Sequence, residues 1–203
     1  MSASIDDLDS VEAQAWKALV DAVPSYRAPF HVGTVATTGL DGSPEARTVV
    51  LRSADPGTRT LSFHTDRRSP KFAELSADPQ LSWLLYDEPS RMQLRLQARA
   101  WLHTDDALAS VHWQATSLNS RRAYAAAAAP GSPLETASDG LIDSTAEGRW
   151  SLEASEACRP HFVVVTTQVS RLEVLVLHHR GHRRAAFGYD AQGARSWAGW
   201  RTP

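Results

Sequence analysis

Arg47, Arg52, Arg67, Arg68 and Lys71 are five of the six cations between positions 47 and 71 of this chain. Ser69 precedes Pro70, a pair that suits the N-cap and first position of a helix, and Phe72-Ala73-Glu74-Leu75 continues in helix-forming residues. The first turn of such a helix presents unpaired backbone N–H groups, a hydroxyl and the Lys71 ammonium, with Arg67 and Arg68 just upstream. That is chemistry for holding an anion, and a phosphate group above all. Taken singly, each cation reads better as a solvated surface charge than as a ligand. Their concentration beside a hydroxyl and a helix start is what points to a local anion site.

The elements around these residues have to be strands. Arg47–Arg52 (RTVVLR) is β-branched and aliphatic, Asp55-Pro56-Gly57 supplies a turn, and Thr60–Thr65 (TLSFHT) alternates buried Leu61 and Phe63 with polar neighbours. Phe30–Thr37 reads as a strand entering this hairpin through the turn at 39–42, which makes an antiparallel meander. Further strands are expected at 80–86, 92–101, 161–167, 171–177 and 185–189, and a last one runs through Trp197 and Trp200. Helices are expected at 5–23, 69–77, 105–116 and 120–128, with a short one near 145–155. Pro130-Gly131 breaks the fourth of these. The 92–101 strand places Met92, Leu94, Leu96, Ala98 and Ala100 on one face and Gln93, Arg95, Gln97 and Arg99 on the other. That polar face suits solvent, a ligand or a second subunit. The expected class is mainly β with α (α+β), built as a small antiparallel barrel with peripheral helices.

The chain has 203 residues, 42% of them hydrophobic, with a formal net charge of −2. This is enough for one domain over 1–203, with 1–28 as a helical extension and 130–158 as a crossing segment. No global basic field favours nucleic acid or an anionic membrane. A single cysteine, Cys158, excludes an intrachain disulfide and a multi-cysteine metal site. The acidic N-terminus lacks the pattern of a signal peptide, so a cytoplasmic location is expected. His178, His179 and His182 lack a local carboxylate or thiolate, and adjacent residues on a strand face opposite ways, so no metal is expected. This His/Arg turn reads either as solvated or as a second anion- or substrate-binding cluster.

In order, RTVVLR at 47–52, His64-Thr65, Ser69-Pro70-Lys71, MQLRLQARA at 92–100 and RGHRR at 180–184 resemble the motifs of the pyridoxamine 5′-phosphate oxidase-like, FMN-binding split β-barrel family. The resemblance covers 30–203 and is nearest to a less characterised FMN-binding branch. It implies a homodimer with FMN at the subunit interface. Cofactor contacts would come from the strand Arg47, Thr48, Val49, Val50, Leu51 and Arg52, from His64 and Thr65, from Ser69 and Lys71, and from Gln93 and Arg184. Arg47, Thr65, Ser69 and Lys71 would hold the phosphate, and Gln93 would reach the ring from the partner subunit. Arg67 and Arg68 fall outside the motif positions and read as solvated charges.

For the substrate, the resemblance points to Arg180, His182 and Ser120, with His182 as the candidate proton-handling residue. Several positions depart from the family pattern. Arg52 stands for a Lys, Pro70 for an Arg, Val111 for a Tyr and Thr116 for a substrate-phosphate Arg, and Val174 or Leu175 stands where a Trp is usual. FMN-dependent oxidoreductase chemistry on an unidentified small molecule is therefore the expectation. The alternative is a non-catalytic flavin carrier or sensor, or a barrel that binds deazaflavin or haem.

Overall fold

A computed structural model describes residues 6–142 and 149–203. Among the described residues nine strands form one antiparallel sheet: β1 (Val32–Thr38), β2 (Pro44–Val50), β3 (Ser53–Asp55), β4 (Thr60–Asp66), β5 (Gln80–Asp87), β6 (Met92–His103), β7 (Phe162–Val176), β8 (Arg183–Tyr189) and β9 (Arg195–Arg201). Hydrogen bonding runs β2-β1-β5-β6-β7-β4-β3, and β8 pairs β7 beyond the end of β4, with β9 outermost. The sheet is therefore not a simple meander. β1 lies between β2 and β5, while β4 pairs with β7 from the far end of the chain.

The ladder does not close into a continuous ring of strand pairs. Instead the chain itself spans the split at residues 51–52. The Leu51 N–H donates to the His31 carbonyl at 2.8 Å on one side, and the Arg52 N–H donates to the Ser62 carbonyl at 2.8 Å on the other. The 47–52 run thus divides between the end of β2 and this crossing. The expected hairpin forms one step later, between β3 and β4.

The two strands expected at 161–167 and 171–177 are a single strand, β7. Val169 pairs with Ala98 and Arg171 with Gln97, so Ser170 is the extra residue of a bulge, not a turn. β7 is buried on both faces at its start. Val163 and Val165 enter the main core with Leu61, Phe63, Trp83 and Leu96, and Phe162 and Val164 enter a second core with Trp113, Tyr124 and Cys158. A near-continuous apolar run is what a doubly covered strand requires.

Among the described residues five α-helices flank the sheet: α1 (Leu8–Ala22), α2 (Pro70–Ala77), α3 (Ala107–Ala115), α4 (Leu118–Arg121) and α5 (Leu152–Glu156). Ile5, the first residue of the expected N-terminal helix, lies outside the described residues, as does the 143–148 part of the crossing segment. Asp7 caps α1 by accepting the Ser10 N–H at 2.8 Å. The helix buries Val11, Ala15, Trp16 and Leu19 together with Glu12, whose carboxylate takes the Tyr189 hydroxyl at 2.8 Å and Arg59 at 2.9 Å.

The helix expected over 120–128 is a correction. α4 ends at Arg121, a 3-10 turn covers Arg122–Tyr124, and the alanines that follow are not helical. Tertiary bonds outweigh alanine's helix propensity there: Ala126 bridges to Leu141, and Arg68 draws in the Tyr124 and Ala126 carbonyls.

Candidate functional site

At one end of the barrel β1, β2, β4 and α2 converge. Arg47 pairs with Val35 across the β1–β2 ladder, so its side chain is on the inward face of β2, next to Thr37 and beneath α2. One terminal guanidinium nitrogen donates to the Thr37 hydroxyl, and the other donates to Glu74 Oε2 at 2.7 Å. Thr37 in turn donates to the same Glu74 oxygen at 2.5 Å.

Beside this triad, Lys71 Nζ donates to Thr65 Oγ1 at 3.0 Å, and Thr65 and Ser69 hydroxyls lie 3.1 Å apart. Burial pulls the Lys71 ammonium below the usual lysine range. The neighbouring Arg47 guanidinium adds to that, while Glu74 and Asp66 oppose it. Ser69 takes the extended N-cap conformation and Pro70 the first helical position, as the sequence suggests. The Ser69 hydroxyl does not cap the helix, however. It donates to the Asp66 carbonyl at 2.7 Å. Two cations, two hydroxyls and the start of α2 thus form one cluster, an arrangement suited to a phosphate monoester.

The structure brings Arg47, Thr65, Ser69 and Lys71 together and separates them from other expected site residues. Val49 and Leu51 are buried, Val50 is half-buried, and Thr48 and Arg52 are exposed. Gln93 lies in a row with Leu175 and Arg184 across β6, β7 and β8. This row is on the outer face of the sheet, whereas Arg47 faces inward three strands away. Glu173 organises it, accepting from Arg184 at 2.5 Å and Arg171 at 2.6 Å with Arg95 at 3.8 Å. Burial works to raise the Glu173 carboxyl, but the hydrogen bonds from Arg184 and Arg171 outweigh it and hold the group below its usual range.

Arg180 and His182 occupy the exposed turn between β7 and β8, where His182 Nδ1 accepts the His178 N–H at 3.2 Å. The Ser120 hydroxyl accepts from Ser117 at 2.9 Å, and Thr116 donates to the His112 carbonyl at 2.7 Å.

His64 alternates to the face of β4 opposite Thr65 and enters the second core. Its Nε2 lies 3.0 Å from His112 Nδ1 and its ring meets Phe162 edge-on. Burial, then the charges of Arg52 and His112, push its pKa down to about 3 from 6.5. The folded state therefore binds fewer protons than the unfolded state between those values. The stability this supplies is full above about pH 6.5 and is lost as the pH falls through that window toward 3. His64→Phe is expected to flatten the acid limb of stability by up to one proton, about 1.4 kcal/mol per pH unit. Urea unfolding at a series of pH values measures this, and an unchanged slope would refute it.

Arg68 is not the solvated charge that the sequence suggests. Its guanidinium binds both oxygens of buried Asp66, at 3.1 and 2.8 Å, and the Ala126 carbonyl at 2.8 Å. Arg67 is exposed and 3.5 Å from Asp105. Sequence reasoning missed Thr37, Glu74 and Glu173. The one available signal was that Glu74 follows Lys71 by three residues and so shares its helix face.

Against known proteins, residues 13–104 match the family model described as pyridoxamine 5′-phosphate oxidase, FMN-binding domain. The pyridoxine/pyridoxamine 5′-phosphate oxidase of Thermosynechococcus vestitus is 37% identical over 79 residues, covering 39% of this chain and 36% of that protein. Oxidase 2 of Arabidopsis thaliana is 34% identical over 109 residues, covering 50% and 54%. The chain thus spans about half or less of the length of these relatives.

Among solved structures, a pyridoxamine 5′-phosphate oxidase-related, FMN-binding protein from Nostoc punctiforme superposes with a TM-score of 0.71 at 21% identity, covering 94% of this chain and 96% of that one. PhzG from Burkholderia lata, in complex with tetrahydrophenazine-1-carboxylic acid, superposes at 0.66 and 20% identity, covering 98% and 95%. These two show a shared fold. The segment 13–104, which carries Arg47 and Thr65 on strands and Lys71 on α2, is thus the part of this chain that matches the FMN-binding domain of the pyridoxamine 5′-phosphate oxidase family.

Proposed function

We propose that the chain holds FMN by its phosphate in the Arg47–Lys71 pocket and acts as an FMN-dependent oxidoreductase. The observation that carries this reading is the partly buried Lys71 ammonium, set beside Arg47 and bonded among the described residues to Thr65 alone. A cation held in that state retains donors for an anion. Arg47 likewise keeps its Nε–H uncommitted among the described residues. Both features suit a phosphate.

When bound, FMN supplies the two-electron redox chemistry. The chain's own residues anchor the phosphate through Arg47, Lys71, Thr65 and Ser69 and carry the β2 backbone past the ligand. A homodimer completes the reading, because one chain cannot bring outward-facing Gln93 and Arg184 to its own inward-facing Arg47. Val32, Leu84 and Tyr86 are exposed on neighbouring strands of that outer face and give a second copy an apolar surface to cover. Arg180 and His182 would approach the substrate from their turn, with His182 Nε2 taking or giving the proton. α3 offers exposed Val111 and self-bonded Thr116 where a substrate phosphate would need a cation. Turnover of pyridoxamine or pyridoxine phosphate is therefore expected to be weak or absent.

The test is titration of the purified chain with FMN and with riboflavin, followed by absorption and flavin fluorescence. Lys71→Ala should weaken FMN about 10- to 100-fold, the worth of a charge-assisted phosphate contact, and leave riboflavin unchanged. No affinity for either flavin in the wild type would sink the reading. Tight flavin binding with no reducible or oxidisable substrate would favour a carrier or sensor.

A further inference from the structure

We propose that Glu74 is an internal counter-ion of the phosphate pocket: it holds Arg47 in place before a phosphate arrives and, by its charge, loosens the pocket's hold on the phosphate. The proposal rests on the reading that this pocket receives the FMN phosphate.

Glu74 is 4% exposed, and Arg47 and Thr37 both donate to its Oε2. It is the carboxylate committed to the pocket. Asp66 is engaged by both arms of Arg68, and Glu45 is half-exposed and 3.9 Å from Arg47. The local balance of Arg47, Lys71 and Glu74 is a single positive charge, in a site whose ligand carries up to two negative ones.

Two opposing effects follow. Without a ligand, Glu74 offsets the like charges of Arg47 and Lys71, and Thr37 bridges it to Arg47 so that the guanidinium is held ready. With a ligand, the same carboxylate lies close to the phosphate in a partly buried site, where like charges repel far more than in water. The residue thereby sets how exchangeable the cofactor is. Retention and preorganisation pull in opposite directions at one oxygen.

Glu74→Gln separates the two effects. An amide oxygen at the Oε2 position still accepts from Arg47 and Thr37, while the charge is gone. In the full chain, the ligand-free variant should melt below the wild type, bind FMN about tenfold tighter or more, and bind riboflavin with unchanged affinity. FMN affinity that stays level or falls, or FMN and riboflavin changing alike, would overturn the proposal.

Thr37→Val keeps the charge and removes the bridging hydroxyl, so its FMN affinity must not rise; a rise would also overturn it. If Glu74→Gln folds only when FMN or inorganic phosphate is present, the counter-ion role is supported, and a variant unfolded in both overturns it. A wild type that binds neither flavin refutes the flavin reading alone. Inorganic phosphate then decides: a phosphate-dependent rise in melting temperature that is larger in Glu74→Gln supports the counter-ion, and equal rises overturn it.

Discussion

Arg47→Ala is expected to cost the fold about 3 kcal/mol and to remove most of the affinity for FMN. Arg47 is the cation bonded to Glu74, whose side chain is 4% exposed, so its loss leaves a buried carboxylate paired only with a hydroxyl. Unpairing a buried charge costs about 3–5 kcal/mol, and the low end applies because Thr37 still donates to the same oxygen. Denaturant unfolding of the ligand-free protein reads this loss. The double variant Arg47→Ala/Glu74→Gln should recover most of it, since the orphaned charge is then removed as well. A single variant as stable as the wild type would show that Glu74 is satisfied without Arg47. Affinity for FMN should not recover in the double variant, because the guanidinium is absent in both.

Arg68→Ala has the second large effect. Asp66 is 6% exposed, and Arg68 supplies both hydrogen bonds that its oxygens take from a cation. The same guanidinium ties down the Ala126 and Tyr124 carbonyls, at 2.8 and 3.4 Å, and so fixes the alanine-rich segment against the start of α2. Losing it should cost about 3–5 kcal/mol and open that segment first. The amides of Ala127 and Ile142, which donate to Gly140 and Ala125, are the reporters. Faster hydrogen exchange at these two, ahead of the β6–β7 ladder, is the expected result. Equal protection in variant and wild type would remove the anchoring role.

These two arginines show how far local pattern reaches. Both stand in one cation-rich stretch, and nothing in their immediate neighbours tells them apart. Arg47 is set on the inward face by the register of β2 against β1, and Arg68 is claimed by carbonyls from positions 124 and 126. Each outcome depends on contacts distant in the chain. Glu74 was passed over for the same reason: a glutamate in a short helix is normally solvated, and only the packing of α2 over Thr37 buries it. The chain's own pattern did reveal the strand alternation of 92–101, the helix start at Ser69-Pro70, and the strand content of 161–167 and 171–177, though not that the two are one strand. Those features follow from period, capping and apolar content, which are local properties.

The sequence by itself pointed to an anion site between positions 47 and 71, to a scaffold of mostly antiparallel strand, and to motifs that resemble those of an FMN-binding family. Tertiary structure alone decided which cations face the pocket, that a buried carboxylate shares it, and that the inward Arg47 group and the outward Gln93–Arg184 row lie apart on one chain. The physical reason is that side-chain type and spacing act over a few residues. Facing direction, burial and net local charge are set by which strands pair, and here β4 pairs with a strand about a hundred residues further along the chain.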